Sequence, residues 1–275
     1  MNIVSGNKQL DLSTPQVMGI LNVTPDSFSD GGQFQLVDQA LKQAALMVKQ
    51  GASIIDIGGE STRPGAASVS LDQELSRTVP VIEAISREFD VWISIDTSKP
   101  DVMTAAVAAG ADLINDVCAL QAEGALAAAA QCQVPVCLMH MQGAPRSMQD
   151  APKYNNVVSD IRDFFYQRIA ACHEAGIAHS QIILDPGFGF GKTLDHNYQL
   201  LQQLSQFKAF GLPLLTGLSR KSMFGDWLGR SVEQRLAASL AGALLCAQQG
   251  ANIVRVHDVK ETSDVLKVLQ KTIAS

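Results

Sequence analysis

Polar and charged residues follow eight short apolar runs along the chain. Acidic and amide side chains end most of the earlier runs, and basic side chains end the last two. The residues at these ends include Asn22, Glu60, Asp96, Asn115, Asp116, His140, Asp185, Ser219, Lys221, Arg255 and His257. A single Asp or Asn in such a place often only caps a helix. Polar ends after every run instead predict that the side chains converge on one shared site.

The last two runs supply positive charge. Arg255 and His257 stand two residues apart in a predicted strand, so both side chains lie on the same face. With Lys221 after the preceding run, they predict a site for an anion. An alternative remains open, in which Arg255 pairs with Asp258 or another surface carboxylate and contributes about 1 kcal/mol or less to stability.

Asp96, Asn115 and Asp185 predict a different kind of ligand. Carboxylates at the ends of buried strands lose hydration and need hydrogen-bond donors. A fused heterocycle with an amino-amide edge offers planar N–H groups to carboxylates and matches the donor and acceptor of an Asn. Binding of Mg²⁺ and simple helix capping are also compatible with these residue types, and the spacing does not separate the three.

Two connections are long for a compact fold. Residues 24–35 and 59–70 are rich in Gly, Ser and Pro, and loops of about a dozen residues with this composition often cover a binding site. They could also be passive insertions. A third segment, GFGFGKT at 187–193, resembles a phosphate-binding loop, but Gly187 and Gly191 are one position too close for G-x-x-x-x-G-K-[ST].

For the polar residues to share one site, the fold must bring eight strand ends together. Short β-branched runs alternate with longer segments of helical periodicity from residue 17 onwards. The predicted strands span 17–23, 53–58, 91–96, 112–115, 134–140, 182–185, 213–218 and 252–256. Eight β–α units in about 250 residues favour a (β/α)8 TIM barrel over an open doubly wound sheet. No Pro-, Ser- or charge-rich linker interrupts the pattern, so we interpret residues 1–275 as a single α/β domain.

The composition indicates a globular chain and disfavours several classes of partner. The 275 residues are 47% apolar and 17% charged, which allows a core of full size. The net charge of -6 disfavours nucleic acid and anionic membranes. The five cysteines include no C-x-x-C pair and suggest a reducing compartment, and no signal-peptide pattern is evident. We therefore expect a cytoplasmic protein that binds small molecules.

Eight motifs match a known family in order along nearly the whole chain. They are NVTPDSFSDGG from Asn22, GGESTRPGA from Gly58, SIDTSKP from Ser94, IND from Ile114, LMHMQG from Leu138, LDPGFGFGK from Leu184, GLSRKS from Gly217 and RVHDVKE from Arg255. On these residues the chain resembles the bacterial dihydropteroate synthases, which are pterin-binding (β/α)8 barrels of folate biosynthesis.

The resemblance implies a transferase. The family joins 6-hydroxymethyl-7,8-dihydropterin pyrophosphate to p-aminobenzoate, and it forms 7,8-dihydropteroate and pyrophosphate with Mg²⁺ present. The chemistry would be substitution at the pterin methylene carbon, with pyrophosphate as the leaving group. The resemblance also implies a target of sulfonamides and a homodimer that associates through late helices.

The resemblance assigns residues to each part of the site. For the pterin it implies Asp96, Asn115, Met139, Asp185, Phe190, Lys221 and Arg255. For p-aminobenzoate it implies Phe28, Thr62, Pro64 and Ser222, the last offering a helix N-terminus to the carboxylate. For pyrophosphate it implies Asn22, Arg63, Arg255 and His257, with Asn22 also contacting Mg²⁺. The implied catalytic residues are Asp30, Arg63, Lys221, Arg255 and His257, with Asp30 stabilising a developing carbocation and the cations the departing anion.

Two alternatives share the pterin site. A pterin-dependent methyltransferase that delivers its methyl group to a corrinoid has no need for the SRKS, RVH and PDSFSDGG motifs. An inactive pterin-binding module would be expected to lack one or more of Arg63, Lys221 and His257, and all three are present. The motifs therefore favour the synthase. With the sequence ending at Ser275, we expect no fused pterin pyrophosphokinase.

Overall fold

Strands and helices alternate along the chain, as the periodicity predicts. A computed structural model describes residues 1–24, 32–61, 68–143, 148–149 and 151–273. The strands in these residues are β1 Asn2–Ser5, β2 Lys8–Asp11, β3 Gln16–Asn22, β4 Ile54–Gly58, β5 Trp92–Asp96, β6 Leu113–Asp116, β7 Val136–Met139, β8 Ile182–Asp185, β9 Leu215–Thr216 and β10 Ile253–Val256. The α-helices are α1 Gly32–Lys49, α2 Leu71–Glu88, α3 Pro100–Ala108, α4 Ala125–Cys132, α5 Val157–Glu174, α6 Leu194–Gln202, α7 Ser222–Leu228, α8 Leu236–Gln248 and α9 Val259–Ile273.

The strands β3 to β10 form one parallel sheet that closes into a barrel. Their order is β8-β7-β6-β5-β4-β3-β10-β9, and a parallel bridge between Leu184 and Leu214 joins the two edges of the sheet. A helix follows each of these strands. The predicted (β/α)8 barrel is confirmed, and each of the eight predicted strands lies close to its predicted position.

An apolar layer fills the barrel at the end where the strands begin. One residue from each strand contributes to it: Met18, Ile54, Trp92, Leu113, Cys137, Ile183, Leu215 and Ile253. The β1–β2 hairpin, an addition to the predicted elements, covers this layer with Ile3, Leu10 and Leu12. Lys8 ties the hairpin to the barrel by donating to Asp112 Oδ2 at 2.8 Å. The hairpin therefore closes this end of the barrel.

The next inward-facing residues of most strands are polar. Successive side chains alternate between the two faces of a strand, so a residue two positions after the apolar layer again faces the barrel interior. At these positions the strands carry Asp56, Ser94, Asn115, Asp185 and Arg255. The same alternation that builds the floor of the barrel thus places charged and amide groups directly above it.

Helices cover the outer face of the barrel. Ile93 of β5 belongs to the main hydrophobic core together with Ile82 and Ile85 of α2. Helix α2 begins at a capping box, in which Ser70 Oγ accepts from the Gln73 N–H and the Gln73 side chain accepts from the Ser70 N–H. None of the described helices is long and apolar enough to cross a membrane.

Some predicted features fall outside the described ranges. The five site residues concerned are Phe28, Asp30, Thr62, Arg63 and Pro64. Parts of both long connections also lie outside. The predicted extent of the first connection is wrong at its C-terminal end, because α1 already begins at Gly32 and the helix therefore includes the last residues assigned to the loop.

Candidate active site

Arg255 is bonded to acidic residues of β4 and β5 inside the barrel. Its Nε donates to Asp56 Oδ2 at 2.6 Å, and its Nη2 donates to Asp96 Oδ2 at 2.7 Å. Both carboxylates are buried. Burial alone would lower the pKa of the Arg255 guanidinium, but the charges of Asp56 and Asp96 outweigh burial and raise that pKa. Arg255 therefore remains a cation held between two acids.

This pairing corrects the surface alternative for Arg255. The partner of Asp258 is Arg220, whose Nη2 lies 2.5 Å from Asp258 Oδ1 and whose Nε lies 3.1 Å from Oδ2. The alternative in which Arg255 pairs with Asp258 or another surface carboxylate is therefore wrong, since the partners of Arg255 are buried. The acidic residues and the cations of the last strands meet at one mouth of the barrel.

Asp56 is a site residue that the pattern of strand ends does not indicate. It lies in the middle of β4 and is fully buried, and Asn115 Nδ2 lies 3.4 Å from each of its carboxylate oxygens. The sequence feature that could have identified Asp56 is an acidic residue within the otherwise apolar run IIDIG. A carboxylate in a buried strand needs a cation or several donors, and the alternation of faces directs this one into the barrel.

Asp96 has an unused hydrogen-bond acceptor. Its Oδ1 is buried and has no hydrogen-bond partner in the described part of the chain. Burial raises the pKa of Asp96 to about 7, against the opposing effect of the Arg255 charge. A buried acceptor without a partner carries a desolvation cost that a bound donor removes. The geometry therefore suits a ligand with an N–H or O–H group beside Asp96.

The two polar residues that end β6 have different surroundings. Asn115 contacts the β4 carboxylate, whereas Asp116 accepts hydrogen bonds at 2.7 Å from the N–H groups of Cys118 and Leu120. These bonds stabilise a turn in which Ala119 and Leu120 have φ angles of 52° and 57°. Asp116 is therefore a turn-forming residue, as the capping alternative predicts for a single Asp, and only Asn115 is directed to the site.

Lys221 interacts with residues of the loop after β8. Its Nζ lies 4.0 Å from the centre of the Phe190 ring, and burial lowers its pKa to about 8, against the opposing charge of Asp185. Burial raises the pKa of Asp185, whose Oδ1 accepts from the Gly187 N–H at 2.8 Å. Met139 is the register partner of Asp185 on β7. The structure thus brings these four predicted site residues to adjacent strand ends.

His257 lies just after β10 and Ser222 begins the helix after β9, at the same end of the barrel. His257 Nδ1 is 3.0 Å from Ser219 Oγ, which also accepts from the His257 N–H at 3.2 Å. Ser222 is exposed and is the first residue of α7, and Lys221 is the N-cap of that helix. Arg255 lies two residues before His257, deeper in β10.

Asn22 ends β3 beside Gly58 and Asp96. A Cβ atom on Gly58 would lie 3.7 Å from Asn22 Oδ1 and 3.8 Å from Asp96 Oδ2. These two oxygens therefore lie near each other beside Gly58. The Asn22 amide oxygen is a ligand type that suits Mg²⁺ held mainly by phosphate oxygens of a substrate. Among the described residues, no group of three or more His, Cys, Asp or Glu side chains is arranged to hold a metal ion. Substrate oxygens would have to complete the coordination offered by these residues.

Known proteins resemble this chain in sequence and in fold. Residues 18–257 match the family described as Pterin binding enzyme. The chain is 55% identical over 275 residues to the dihydropteroate synthase of Escherichia coli (strain K12), covering 100% of this chain and 98% of that protein. The Yersinia pestis dihydropteroate synthase, in a sulfonamide drug complex, superposes with a TM-score of 0.96 at 56% identity and 100% coverage of both chains. The Xanthomonas albilineans dihydropteroate synthase with 4-aminobenzoic acid superposes with a TM-score of 0.94 at 49% identity, covering 100% of this chain and 98% of that one.

The chain belongs to the pterin-binding enzymes, because the match to that family covers residues 18–257, which is most of the chain. Within this class, the relatives that match over their full length are dihydropteroate synthases. The protein therefore has the activity of a dihydropteroate synthase, which is a transferase. These relatives decide against the corrinoid methyltransferase and the inactive module, and they agree with the motifs.

Proposed function

We propose that the polar layer of the barrel binds the pterin ring of 6-hydroxymethyl-7,8-dihydropterin pyrophosphate. The observation that carries this proposal is the buried Asp96 Oδ1, which lacks a hydrogen-bond partner among the described residues. A ring N–H or the amino group of the pterin would satisfy this oxygen. Asn115 and Asp185 offer further acceptors, and the Asn115 amide and the Lys221 ammonium offer donors to the ring carbonyl and ring nitrogens.

The flat faces of the ring need apolar or planar neighbours. The Arg255 guanidinium is planar and is held in place by two carboxylates, so it suits stacking on an aromatic ring. Phe190 and Met139 supply apolar surface beside Lys221 and Asp185. Together these residues fit a planar heterocycle better than a flexible polar ligand.

The pyrophosphate of the substrate is proposed to lie at the mouth of the barrel. Arg255, His257 and Lys221 lie at this end and can carry positive charge, and we assign Arg63 to the same role. Mg²⁺ held by Asn22 and by phosphate oxygens would neutralise charge on the leaving group. Stabilisation of the departing diphosphate by fixed positive charge is expected to be the main electrostatic contribution to the rate.

The proposed reaction replaces one bond to carbon by another. The C–O bond between the pterin methylene and pyrophosphate breaks, a C–N bond to the arylamine forms, and the amine loses one proton. The amino group of p-aminobenzoate is neutral near pH 7, so no strong general base is needed. Ring nitrogens of the dihydropterin can donate electron density to the methylene carbon, and Asp30 would stabilise the positive charge that develops there.

The second substrate is proposed to be p-aminobenzoate. The relative from Xanthomonas albilineans with 4-aminobenzoic acid supports this substrate for the present chain. We assign its contacts to Ser222, Phe28, Thr62 and Pro64. Ser222 follows Lys221 directly, at the start of α7, so the arylamine would lie next to the pterin site and in position for attack on the methylene carbon.

Incubation of the purified protein with Mg²⁺, the pterin pyrophosphate and p-aminobenzoate tests this proposal. We expect equimolar 7,8-dihydropteroate and pyrophosphate, and only when both organic substrates are present. Pyrophosphate release without the arylamine would indicate hydrolysis and would contradict coupling. Asp96→Asn should raise the KM for the pterin substrate by about tenfold or more. The control Asp101→Asn makes the same change at an exposed position of α3 and should leave that KM unchanged.

We also propose a cytoplasmic homodimer. Large apolar side chains are exposed on the late helices: Trp227, Leu228, Leu245, Val268 and Ile273. Such exposure supports an interface between two copies of the chain. The five cysteines, which are all described, are free thiols, in keeping with a reducing compartment. Sedimentation velocity at micromolar concentration tests the dimer, and a single monomeric species would contradict it.

A further inference from the structure

A buried lysine organises the loop after β8. The segment 187–193 resembles a phosphate loop in sequence, yet the Lys192 side chain points inward and the residue is only 3% exposed. Its Nζ donates to the carbonyl oxygens of Gly187 at 2.8 Å and of Phe190 at 3.0 Å, and it lies 3.0 Å from His140 Nδ1. The His140 carbonyl oxygen lies at 3.4 Å as a further acceptor, and burial lowers the pKa of the Lys192 amine well below its ordinary value. Lys192 therefore binds groups of the protein instead of an external phosphate.

Three other polar groups of this loop are also bonded. The Gly189 carbonyl accepts from Gln149 Nε2 at 2.6 Å, and the Gly191 carbonyl accepts from the Tyr154 hydroxyl at 2.8 Å. The Gly189 N–H donates to Asn197 Oδ1 at 2.7 Å. The loop is thus held from both sides, and Lys192 is at its centre.

Close contact with the chain after β7 leaves little room for the loop to shift. A Cβ atom on Gly187 would lie 2.0 Å from the His140 carbonyl oxygen, and Gly187 has a φ of 69°, which residues with a side chain rarely adopt. A Cβ atom on Gly189 would lie 3.1 Å from Lys221 Cδ. The loop therefore contacts the aliphatic stem of Lys221, while the Phe190 ring faces the ammonium of the same residue at 4.0 Å.

His140 completes the surroundings of Lys192. Burial lowers the pKa of His140 to about 2, and the charge of Lys192 acts in the same direction. The imidazole is therefore neutral near pH 7, and its Nδ1 can accept a hydrogen bond from Lys192 while Nε2 carries the proton. The His140 N–H donates to the Asp185 carbonyl at 2.9 Å, which joins this arrangement to the strand end that carries Asp185.

We propose that Lys192 is a positioning residue for pterin binding. By bonding the loop carbonyls and His140 to one amine, it fixes the Phe190 ring that faces the Lys221 ammonium. The inference rests on the proposed pterin site. In that site the p-aminobenzoate contacts do not include this loop, so loss of Lys192 should weaken the binding of one substrate only.

Lys192→Met tests the proposal, because it keeps an unbranched side chain and removes the N–H donors. We expect the KM for the pterin pyrophosphate to rise by about tenfold or more, and the KM for p-aminobenzoate to stay within about twofold. The Kd of 6-hydroxymethylpterin, measured by calorimetry, should rise in parallel with the pterin KM. Equal increases in both KM values, or no increase in either, would overturn the proposal.

Lys8→Met is the matched control. Lys8 also donates to a carbonyl oxygen, that of Val91 at 3.1 Å, and to Asp112 at 2.8 Å, but at the opposite end of the barrel. This variant should lower the Tm and leave both KM values unchanged. A rise in pterin KM as large as that of Lys192→Met would show that general destabilisation explains the effect, and it would refute the assignment.

A milder variant tests the same loop if Lys192→Met does not fold. Tyr154→Phe removes one hydrogen bond to the same loop and should raise the pterin KM by about two- to fivefold, with no change in the p-aminobenzoate KM. Unchanged KM values would refute the proposal. Asp96→Asn separates this inference from the proposed site. If Asp96→Asn binds the pterin as tightly as the wild type, the proposed site is disproved. If Asp96→Asn loses pterin affinity but Lys192→Met keeps it, only the role of Lys192 is disproved.

Discussion

Arg220 and Asp258 join the two loops that carry Lys221 and His257. The guanidinium binds the carboxylate through two hydrogen bonds of 2.5 and 3.1 Å. Arg220 has a φ of 58°, and its N–H donates to Ser239 Oγ at 2.9 Å. Lys221 is the next residue after Arg220, and His257 directly precedes Asp258. The ion pair therefore sets the spacing between the loops that carry Lys221 and His257.

Loss of either partner should disturb Lys221 and His257 together. Arg220→Ala and Asp258→Asn are each expected to lower kcat/KM by about three- to tenfold. The free energy of unfolding should fall by only about 1 kcal/mol or less, because the Arg220 side chain is 41% exposed and solvent screens the pair. A double-mutant cycle provides the check. The double variant should be no less active than the worse single variant, and strictly additive losses would mean that the residues act independently.

Arg255→Ala is expected to lower stability as well as turnover. It leaves the buried carboxylates of Asp56 and Asp96 without their shared cation, and breaking a buried ion pair typically costs about 3–5 kcal/mol. Urea denaturation measures the loss. Adding Asp56→Asn to Arg255→Ala should restore part of the stability and none of the turnover. Wild-type stability of Arg255→Ala would contradict the buried pairing.

Lys99 connects two carboxylates near the start of the connection after β4. Its Nζ bonds to both Glu60 and Glu74, and Glu74 is only 1% exposed. Lys99→Met should lower the free energy of unfolding by about 3–5 kcal/mol, because it leaves the Glu74 charge buried without a partner. Glu74→Gln in the same chain should recover part of this loss in urea denaturation. The control Lys42→Met breaks an exposed pair on α1, with Lys42 75% exposed, and should have almost no effect.

The raised pKa of Asp96 predicts how stability depends on pH in the ligand-free enzyme. Burial raises this pKa to about 7, from 3.8 for an ordinary Asp. The stabilising contribution of the protonated carboxyl is therefore fully present below about pH 4 and is lost as the pH rises through about 7. Asp96→Asn resembles the protonated form, so its stability relative to the wild type should increase from about pH 5 to about pH 8. Urea midpoints across this range measure the difference, and a constant difference would assign Asp96 an ordinary pKa.

Lys221 predicts a loss of activity at alkaline pH. Burial lowers its pKa to about 8, so the ammonium form that we assign to pterin binding is depleted above that pH. The kcat/KM for the pterin substrate should decline in the same range. Lys221→Arg keeps its charge to higher pH, and its profile should decline later from a lower maximum. An identical alkaline decline in both enzymes would point to a different titrating group.

The barrel is predictable from sequence because its signal is local and repeated. Each β-branched run and the polar residue at its end lie within a few positions of one another, as with Asp96 and Asn115. The partners of Arg255 are not predictable in this way, since Asp56 and Asp96 are 199 and 159 positions away and meet Arg255 only when the barrel closes. Asp56 also lies inside a strand and not at its end. Similarly, only tertiary contacts show that Lys192 faces its own loop, because its local sequence suggests a phosphate site.

The hairpin at the start of the chain determines the direction from which ligands arrive. Ile3, Leu10 and Leu12 cover the end of the barrel away from Asp96 and Arg255, so ligands are expected to enter from the opposite end. A molecule that reaches the deepest side chains must enter before any molecule that stands in front of it. Depth in the barrel therefore imposes an order on arrival.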